Sequence, residues 1–309
     1  MTSTHHPTGA QFALRSADGQ TTADIAQVGA ALRGFTVDGV DLVPRYPLDS
    51  ATPAGSGIVL VPWPNRVRDG KWTQRGETRQ LAITEPATGN ASHGLLRFAP
   101  YTAVARDEAS LTLSAPVVPQ TGYPFHLGTS VTYAVGDMRL DVTHAVTNLG
   151  TTDAPVALGT HPYLCIADVD TADLVLTSTG STRFVLDEQK IPVGEEGVDA
   201  STDLRGGRRV GELSLDTAFG DLIRDADGLV LTSLAAPDGR TLTLWQGEGF
   251  DFVQVFTTDR YPGQPLAVAV EPMTAPADAF NSGRSLRWLA PGETWELRWG
   301  IVFDAASRG

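Results

Sequence analysis

The stretch VTYAVGDMRLDVTHAV, residues 131–146, decides the fold class. Val131, Tyr133 and Val135 alternate with Thr132 and Ala134. Met138, Leu140, Val142 and Val146 alternate with Arg139, Asp141, Thr143 and Thr147. Successive side chains on a strand point to opposite faces, so an apolar period of two marks a half-buried strand. Gly136-Asp137 joins the two runs, and a Gly-Xaa pair is a two-residue hairpin signal. That turn sets 135 opposite 138, 133 opposite 140 and 131 opposite 142. The apolar sets then share one face, so turn and pattern agree on an antiparallel pair.

The same pattern recurs outward from this hairpin. Trp295, Leu297, Trp299, Ile301 and Phe303 form another alternating run. Asp38-Gly39 separates Phe35-Thr36-Val37 from Val40-Asp41-Leu42. Asp69-Gly70 separates Arg66-Val67-Arg68 from Lys71-Trp72, and Asp238-Gly239 precedes Thr241-Leu242-Thr243-Leu244-Trp245. The 32 glycines and 20 prolines supply many turns. No long segment has a helical period, although a turn or two fits Ala277 to Phe280. These signals predict an all-β chain, a sandwich of antiparallel sheets. Residues 187–212 are polar and Gly-rich and read as a long surface excursion. Residues 1–309 show no linker and no repeat, so a single domain is expected.

Charge narrows the partners. The net charge is −13, which repels phosphate backbones and anionic lipid, so nucleic acid and membrane surfaces are set aside. The single cysteine, Cys165, reads as a small buried hydrophobe. No apolar run approaches the ~20 residues of a membrane helix. No basic-then-apolar leader opens the chain, so the expected location is cytoplasmic. Nucleotide-binding glycine loops and a hydrolase nucleophile elbow are missing. His5-His6 sits at the terminus, and His93, His126, His144 and His161 are widely spaced. No metal site and no cofactor is expected.

Two segments carry titratable residues in matching settings. In Val156-Ala157-Leu158-Gly159-Thr160-His161-Pro162, strand alternation puts Ala157, Gly159 and His161 on one face. In Leu266-Ala267-Val268-Ala269-Val270-Glu271-Pro272 it puts Ala267, Ala269 and Glu271 together. Each titratable residue ends a strand, above a floor of small residues, with proline next. Small neighbours leave volume for a ligand. A His and a partly desolvated Glu in such similar settings suit an acid and a base for chemistry near neutral pH.

At these residues the chain resembles the aldose 1-epimerase (galactose mutarotase-like) family. The resemblance runs in order over nearly the whole length. Its segments are Pro62-Trp63-Pro64-Asn65-Arg66, similar to a bacterial subgroup, then Ser92-His93-Gly94 and Thr121-Gly122-Tyr123-Pro124. Gly159-Thr160-His161-Pro162-Tyr163-Leu164, Leu215-Asp216-Thr217-Ala218-Phe219 and Val253-Gln254-Val255-Phe256-Thr257 follow. Val270-Glu271-Pro272 through Ala277-Asp278-Ala279-Phe280-Asn281 completes the set.

The resemblance implies a large antiparallel β-supersandwich with a sugar in an open cleft. It implies Glu271 as the base on the anomeric hydroxyl and His161 as the acid on the ring oxygen. Asn65, Arg66, His93, Asp216 and Gln254 would bind the sugar. The implied partner is a monosaccharide, handled by a monomer or homodimer. Three other readings stay open. A hexose 6-phosphate epimerase would draw a basic pocket from Arg66, Arg68, Lys71 and Arg97. A glycoside hydrolase would pair Glu271 with Asp216 or Asp278. A non-catalytic carbohydrate-binding protein would need no acid–base pair. For the epimerase reading, a bell-shaped pH profile between about pH 5 and 8 is expected.

Overall fold

The computed structural model describes residues 6–305, so His5 of the His5-His6 pair lies outside the described residues. The opening hairpin is present as Leu127–Gly136 against Arg139–Asn148. Its register differs from the expected one by two residues. Val135 faces Leu140, Tyr133 faces Val142 and Val131 faces His144. Gly136 stays in the ladder and the turn is Asp137-Met138, with Met138 taking φ 53°. A slip of two keeps every side chain on its face, so the predicted apolar face survives.

This hairpin sits in a nine-stranded antiparallel sheet with Thr294–Asp304 beside it. The Thr241–Gln246 strand flanks Thr294–Asp304 on the other side and pairs with Val230–Ala235 across the Asp238-Gly239 turn. A second large sheet has eight strands. Its centre is Asp216–Gly220, Phe252–Thr258 and Ala267–Met273, followed by short Gly159–Thr160 and Val59–Leu60. A four-stranded sheet covers the N-terminal region. There Asp38-Gly39 makes the predicted turn, both residues at positive φ, joining Val37 to Val40.

The two large sheets bury their facing sides together. Val253, Val255, Val268 and Val270 of the eight-stranded sheet share one apolar cluster with Leu242, Leu244, Leu297, Trp299 and Ile301 of the other. Burying each such side chain is worth about 1.5–3 kcal/mol. Because strand faces alternate, packing the valines inward turns Gln254 and Glu271 outward, away from this core. Among the described residues no helix is long and apolar enough to cross a membrane. Ala279–Ser282 gives the short helical turn expected near Phe280.

Two predicted local features are corrected. Asp69-Gly70 joins no hairpin: Arg66–Val67 pairs with Ala91–Ser92, whereas Lys71–Gln74 pairs with Glu77–Gln80. The turn there is a helical bend over Arg68–Gly70 that redirects the chain between two small sheets. Residues 187–212 are more than a surface excursion. Pro192–Gly197 forms an edge of the eight-stranded sheet and Arg208–Arg209 an edge of the nine-stranded one. Ile191, Leu204 and Val210 are buried and anchor the segment. Polar composition concealed these anchors because they are isolated, without a run long enough to show a period.

His144 occupies a core-facing position of the first hairpin. Its Nε2 accepts a hydrogen bond from Trp299 Nε1 at 3.0 Å. Burial pushes its imidazole down to about 3. An unfolded chain takes up that proton near pH ~6.5, whereas the folded chain refuses it until much lower pH. The stability it supports is therefore full above ~6.5 and drains as pH falls towards 3, by about 1.4 kcal/mol per pH unit. His144→Gln, which retains an acceptor for Trp299, is expected to lose stability less steeply between about pH 6.5 and 4. Urea midpoints across that range measure this; equal slopes would remove His144 from the account.

Candidate active site

The outward face of the eight-stranded sheet forms the floor of the candidate site. Gln254 lies opposite Glu271 in the ladder between Phe252–Thr258 and Ala267–Met273. On the other side of Ala267–Met273, Gly159 pairs with Met273 and Tyr163 with Ala269. Continuing that register sets His161 opposite Glu271. His161, Glu271 and Gln254 thus make one row across neighbouring strands. His161 Nε2 lies 3.3 Å from Glu271 Oε1, and the two residues are 6% and 3% exposed.

The strand context of both residues differs from expectation. Ala154–Val156 pairs with Arg287–Leu289 in a separate ribbon, so 156–161 is not one strand. His161-Pro162 is the interruption between Gly159–Thr160 and Tyr163–Leu164. Glu271 does not end its strand, which runs on through Pro272 to Met273. Proline is tolerated there because the neighbouring segment is itself interrupted.

The small-residue floor is also not empty. Ala267 and Ala269 pack under Tyr46, Tyr163 and Tyr261. A Cβ on Gly159 would meet Pro64 Cβ at 2.8 Å. These small residues make room for the aromatic and proline neighbours that hold the site. Tyr163 stacks on the His161 ring with centroids 5.3 Å apart, and His93 meets that ring edge-on at 5.7 Å.

The remaining predicted residues converge on the same place. A cavity of about 300 Å³ is lined by Asn65, Arg66, His93, His161, Asp216, Gln254 and Glu271, together with Ala54, Phe256, Thr258 and Arg260. That volume lies at the small end for ligand sites and suits one ring. Larger grooves of about 550 and 650 Å³ run past Trp295 and Trp245, but neither is lined by His161 or Glu271.

A polar chain crosses the cavity. Gln254 Nε2 donates to Asp216 Oδ1 at 2.8 Å, and Asn65 Nδ2 approaches Gln254 Oε1 at 3.5 Å. Arg66 Nη1 donates to Asn65 Oδ1 at 3.2 Å. Lys190 Nζ stands 3.7 Å from Asp216 Oδ2 at the rim. Asn65 and His93 both hold the left-handed backbone, φ 54° and 61°, and His93 N donates to Asn65 O. Non-glycine residues rarely adopt this conformation, and where they do the surrounding structure enforces it.

Electrostatics separate the central pair. Burial raises the Glu271 carboxyl well above its ordinary range; Asp216 adds to this and Arg66 opposes it. Burial pushes His161 down to about 4. Both groups are thus driven towards neutrality. Together they hold one proton, placed on either the carboxyl or the imidazole, over a wide pH interval. Among the described residues no three His, Cys, Asp or Glu side chains are placed to share a metal ion.

A family model described as aldose 1-epimerase matches residues 13–301. The chain belongs to the aldose 1-epimerase family. A relative from Escherichia coli K12, YihR, itself described as uncharacterised, is 30% identical over 298 residues, 96% of this chain and 94% of its own. The fold matches that of a GalM/aldose epimerase homologue from C. elegans, with TM-score 0.83, 19% identity, and 96% of this chain and 98% of that one covered. It also matches galactose 1-epimerase from Lactobacillus acidophilus NCFM, with TM-score 0.80, 17% identity and coverage of 96% and 98%. The antiparallel galactose mutarotase-like architecture expected from the sequence is the one observed.

Several segments of the family resemblance turn out to be scaffold. Trp63, Trp72, Tyr123, Phe125 and Phe280 form an aromatic cluster beside the Asn65-Arg66 segment. Tyr123 Oη donates to Pro155 O at 2.6 Å, and Trp72 Nε1 donates to Gly122 O. Asp278 lines no part of the cavity. Its Oδ1 accepts from Arg68 N and Asn281 Nδ2, clamping the Arg66–Gly70 bend to the short helix.

Arg68, Lys71 and Arg97 also stay out of the cavity lining. Arg68 is held by Asp187 and Gln189, and Arg97 donates to Thr84 O. Sequence reasoning missed Phe256 and Thr258, although both share a strand face with Gln254 and the period of two could have found them. Tyr163 follows His161 by two in the same way. Glu85 and Lys190 gave no local signal, because their partners lie far along the chain.

Proposed function

We propose that this chain is an aldose 1-epimerase, an isomerase interconverting the α and β anomers of a free aldose. One observation carries the reading: a buried His161–Glu271 pair in direct contact on the floor of a cavity sized for one ring. In this reading Glu271 acts as carboxylate and takes the proton from the anomeric hydroxyl. His161 acts as imidazolium and gives a proton to the ring oxygen as the C1–ring-oxygen bond breaks. The C1 carbonyl forms, the C1–C2 bond turns, and the ring oxygen attacks the other carbonyl face. Glu271 then returns a proton to the carbonyl oxygen while His161 recovers one from the hydroxyl. The pair holds one proton before and after each step, so turnover needs no proton from bulk water. A proton shuttled between two groups of matched affinity crosses a low barrier, and burial moves the carboxyl and imidazole towards that match.

Asn65, Arg66, His93, Asp216 and Gln254 serve as sugar-binding groups. A hydroxyl that failed to find them would leave a polar group unpaired, at about 1–3 kcal/mol each. A phosphosugar would need free cations that converge; three of the four candidate basic residues face elsewhere, Arg66 is paired with Glu85 and Lys190 stands on Asp216, which leaves Arg260 in the lining. A hydrolase would need a second carboxylate across the bond; Asp216 lines the same cavity but is engaged by Gln254 and Lys190, and the group touching Glu271 is an imidazole.

The test is polarimetry of freshly dissolved α-D-glucose and α-D-galactose in low-phosphate buffer, with and without protein. Faster relaxation to the same final rotation supports the assignment; unaccelerated relaxation of both sugars refutes it for them. A second expectation concerns pH. The kcat/KM profile should be bell-shaped, with activity falling on the acid side as the pair gains a second proton near pH 4 and on the alkaline side as it loses its only proton. The acid limb thus sits lower than an unburied imidazole would place it. A flat profile from about pH 4 to 9 would remove proton transfer at this pair from the rate.

A further inference from the structure

Arg66 is held by a residue that no sequence motif marked. Its Nε donates to Glu85 Oε2 at 2.6 Å and its Nη2 to Glu85 Oε1 at 2.8 Å, a two-pronged contact. Such forks fix the plane of the guanidinium as well as its distance. They occupy one edge and leave Nη1 to Asn65 Oδ1 and the cavity. Glu85 is held in turn: Thr88 Oγ1 donates to its Oε2 at 2.7 Å, and its carbonyl accepts from the backbone of Gly89 and Asn90. The pair is largely shielded, with side-chain exposures of 15% for Arg66 and 27% for Glu85. Partial burial strengthens its field at neighbouring groups.

The charges around this pair are few. Arg66 faces Glu85, Asp216 and Glu271. Glu85 faces Arg66 and, more distantly, Arg97. Glu271 faces His161 in contact, with Asp216 and Arg66 beyond it; His93 and Arg260 line the cavity, Tyr163 stacks on His161 and Lys190 stands on Asp216. We propose that Glu85 is a positioning residue for the sugar site: it fixes the Arg66 guanidinium in one orientation and cancels part of its charge before that charge reaches the His161–Glu271 pair. The inference rests on the epimerase reading above.

The sign of the effect follows from charge alone. Removing a negative charge makes the potential at the pair more positive, which eases proton loss from both members. Both limbs of the pH profile then move to lower pH. Loosening the guanidinium weakens its grip on the sugar, which appears in KM more than in kcat.

The experiment compares wild type, Glu85→Gln and Glu85→Asp by polarimetry, with kcat, KM and the full pH profile for each. Glu85→Gln is expected to raise KM by about fivefold or more and to shift both limbs to lower pH. Glu85→Asp keeps the charge on a shorter arm, so KM should rise while the limbs stay in place. Wild-type KM and an unmoved profile in Glu85→Gln would overturn the inference, as would a lowered Tm with unmoved kinetics. Should Glu85→Gln fail to fold, wild-type KM in Glu85→Asp overturns it equally. Wild-type protein without any acceleration strikes the epimerase reading instead, so the two failures are distinct.

Discussion

Glu271→Gln is expected to lower turnover by about two to four orders of magnitude with the fold intact. The amide has the carboxyl's shape, so the ladder to Gln254 and the contact with His161 Nε2 can both persist. What disappears is the buried carboxylate of that row, the group proposed to take the anomeric proton and return it. Burial is what gives the carboxyl its basicity, so no exposed residue can stand in for it. Stability should hold or rise, because a desolvated ionisable group is lost from the interior. His161→Gln should fall by a comparable factor, since the two act on one shared proton. Polarimetric rates beside circular dichroism of both variants decide the matter. Near-normal turnover in both would end the acid–base assignment.

Gly94→Ala should cost about 3 kcal/mol or more of folding stability. Gly94 holds φ 73°, and its Cβ would lie 2.2 Å from Val61 O and 2.4 Å from Val61 C. The left-handed backbone alone costs an L-residue about 1–2 kcal/mol. The clash is with main chain, which no rotamer change relieves, so the whole segment must move. Gly94 bridges to Val61, and His93 beside it is tied to Asn65. Movement there would disturb two cavity residues together. Denaturant midpoints should fall clearly below wild type and KM should rise. An alanine variant with the wild-type midpoint would show that this contact is not rigid.

The sheet architecture was legible because it follows from a period of two, whereas the gathering of Asn65, Arg66, His93, Asp216 and Gln254 at one place was expected only from the family resemblance. Packing Val268 and Val270 inward forces Glu271 outward, and this reads directly from sequence. The fine structure around His161 was not legible. A six-residue alternation looked like one strand, yet the chain changes partner between Val156 and Gly159 and breaks its strand again at His161-Pro162. Pairing partners are long-range facts that a local pattern does not encode. The hairpin slip at Gly136 had the same origin: glycine fits a turn or a ladder, and Met138 at positive φ carried no signal. Glu85 and Lys190 reach Arg66 and Asp216 from loops whose positions depend on anchors elsewhere.

The row formed by His161, Glu271 and Gln254 sets how this protein can be altered. Inserting one residue into Ala267–Met273 ahead of Glu271 would turn that carboxyl towards the valine core and bring an apolar side chain to the floor. The floor therefore changes in steps of two residues or not at all. The walls obey no such parity: Ala54, Asn65, His93 and Lys190 arrive on bends and turns, and Arg66 on a two-residue strand next to one of them. On the epimerase reading the proton-transferring pair is thereby carried by the row and most of the proposed sugar contacts by the walls, so a redesign for another sugar would start in the bends.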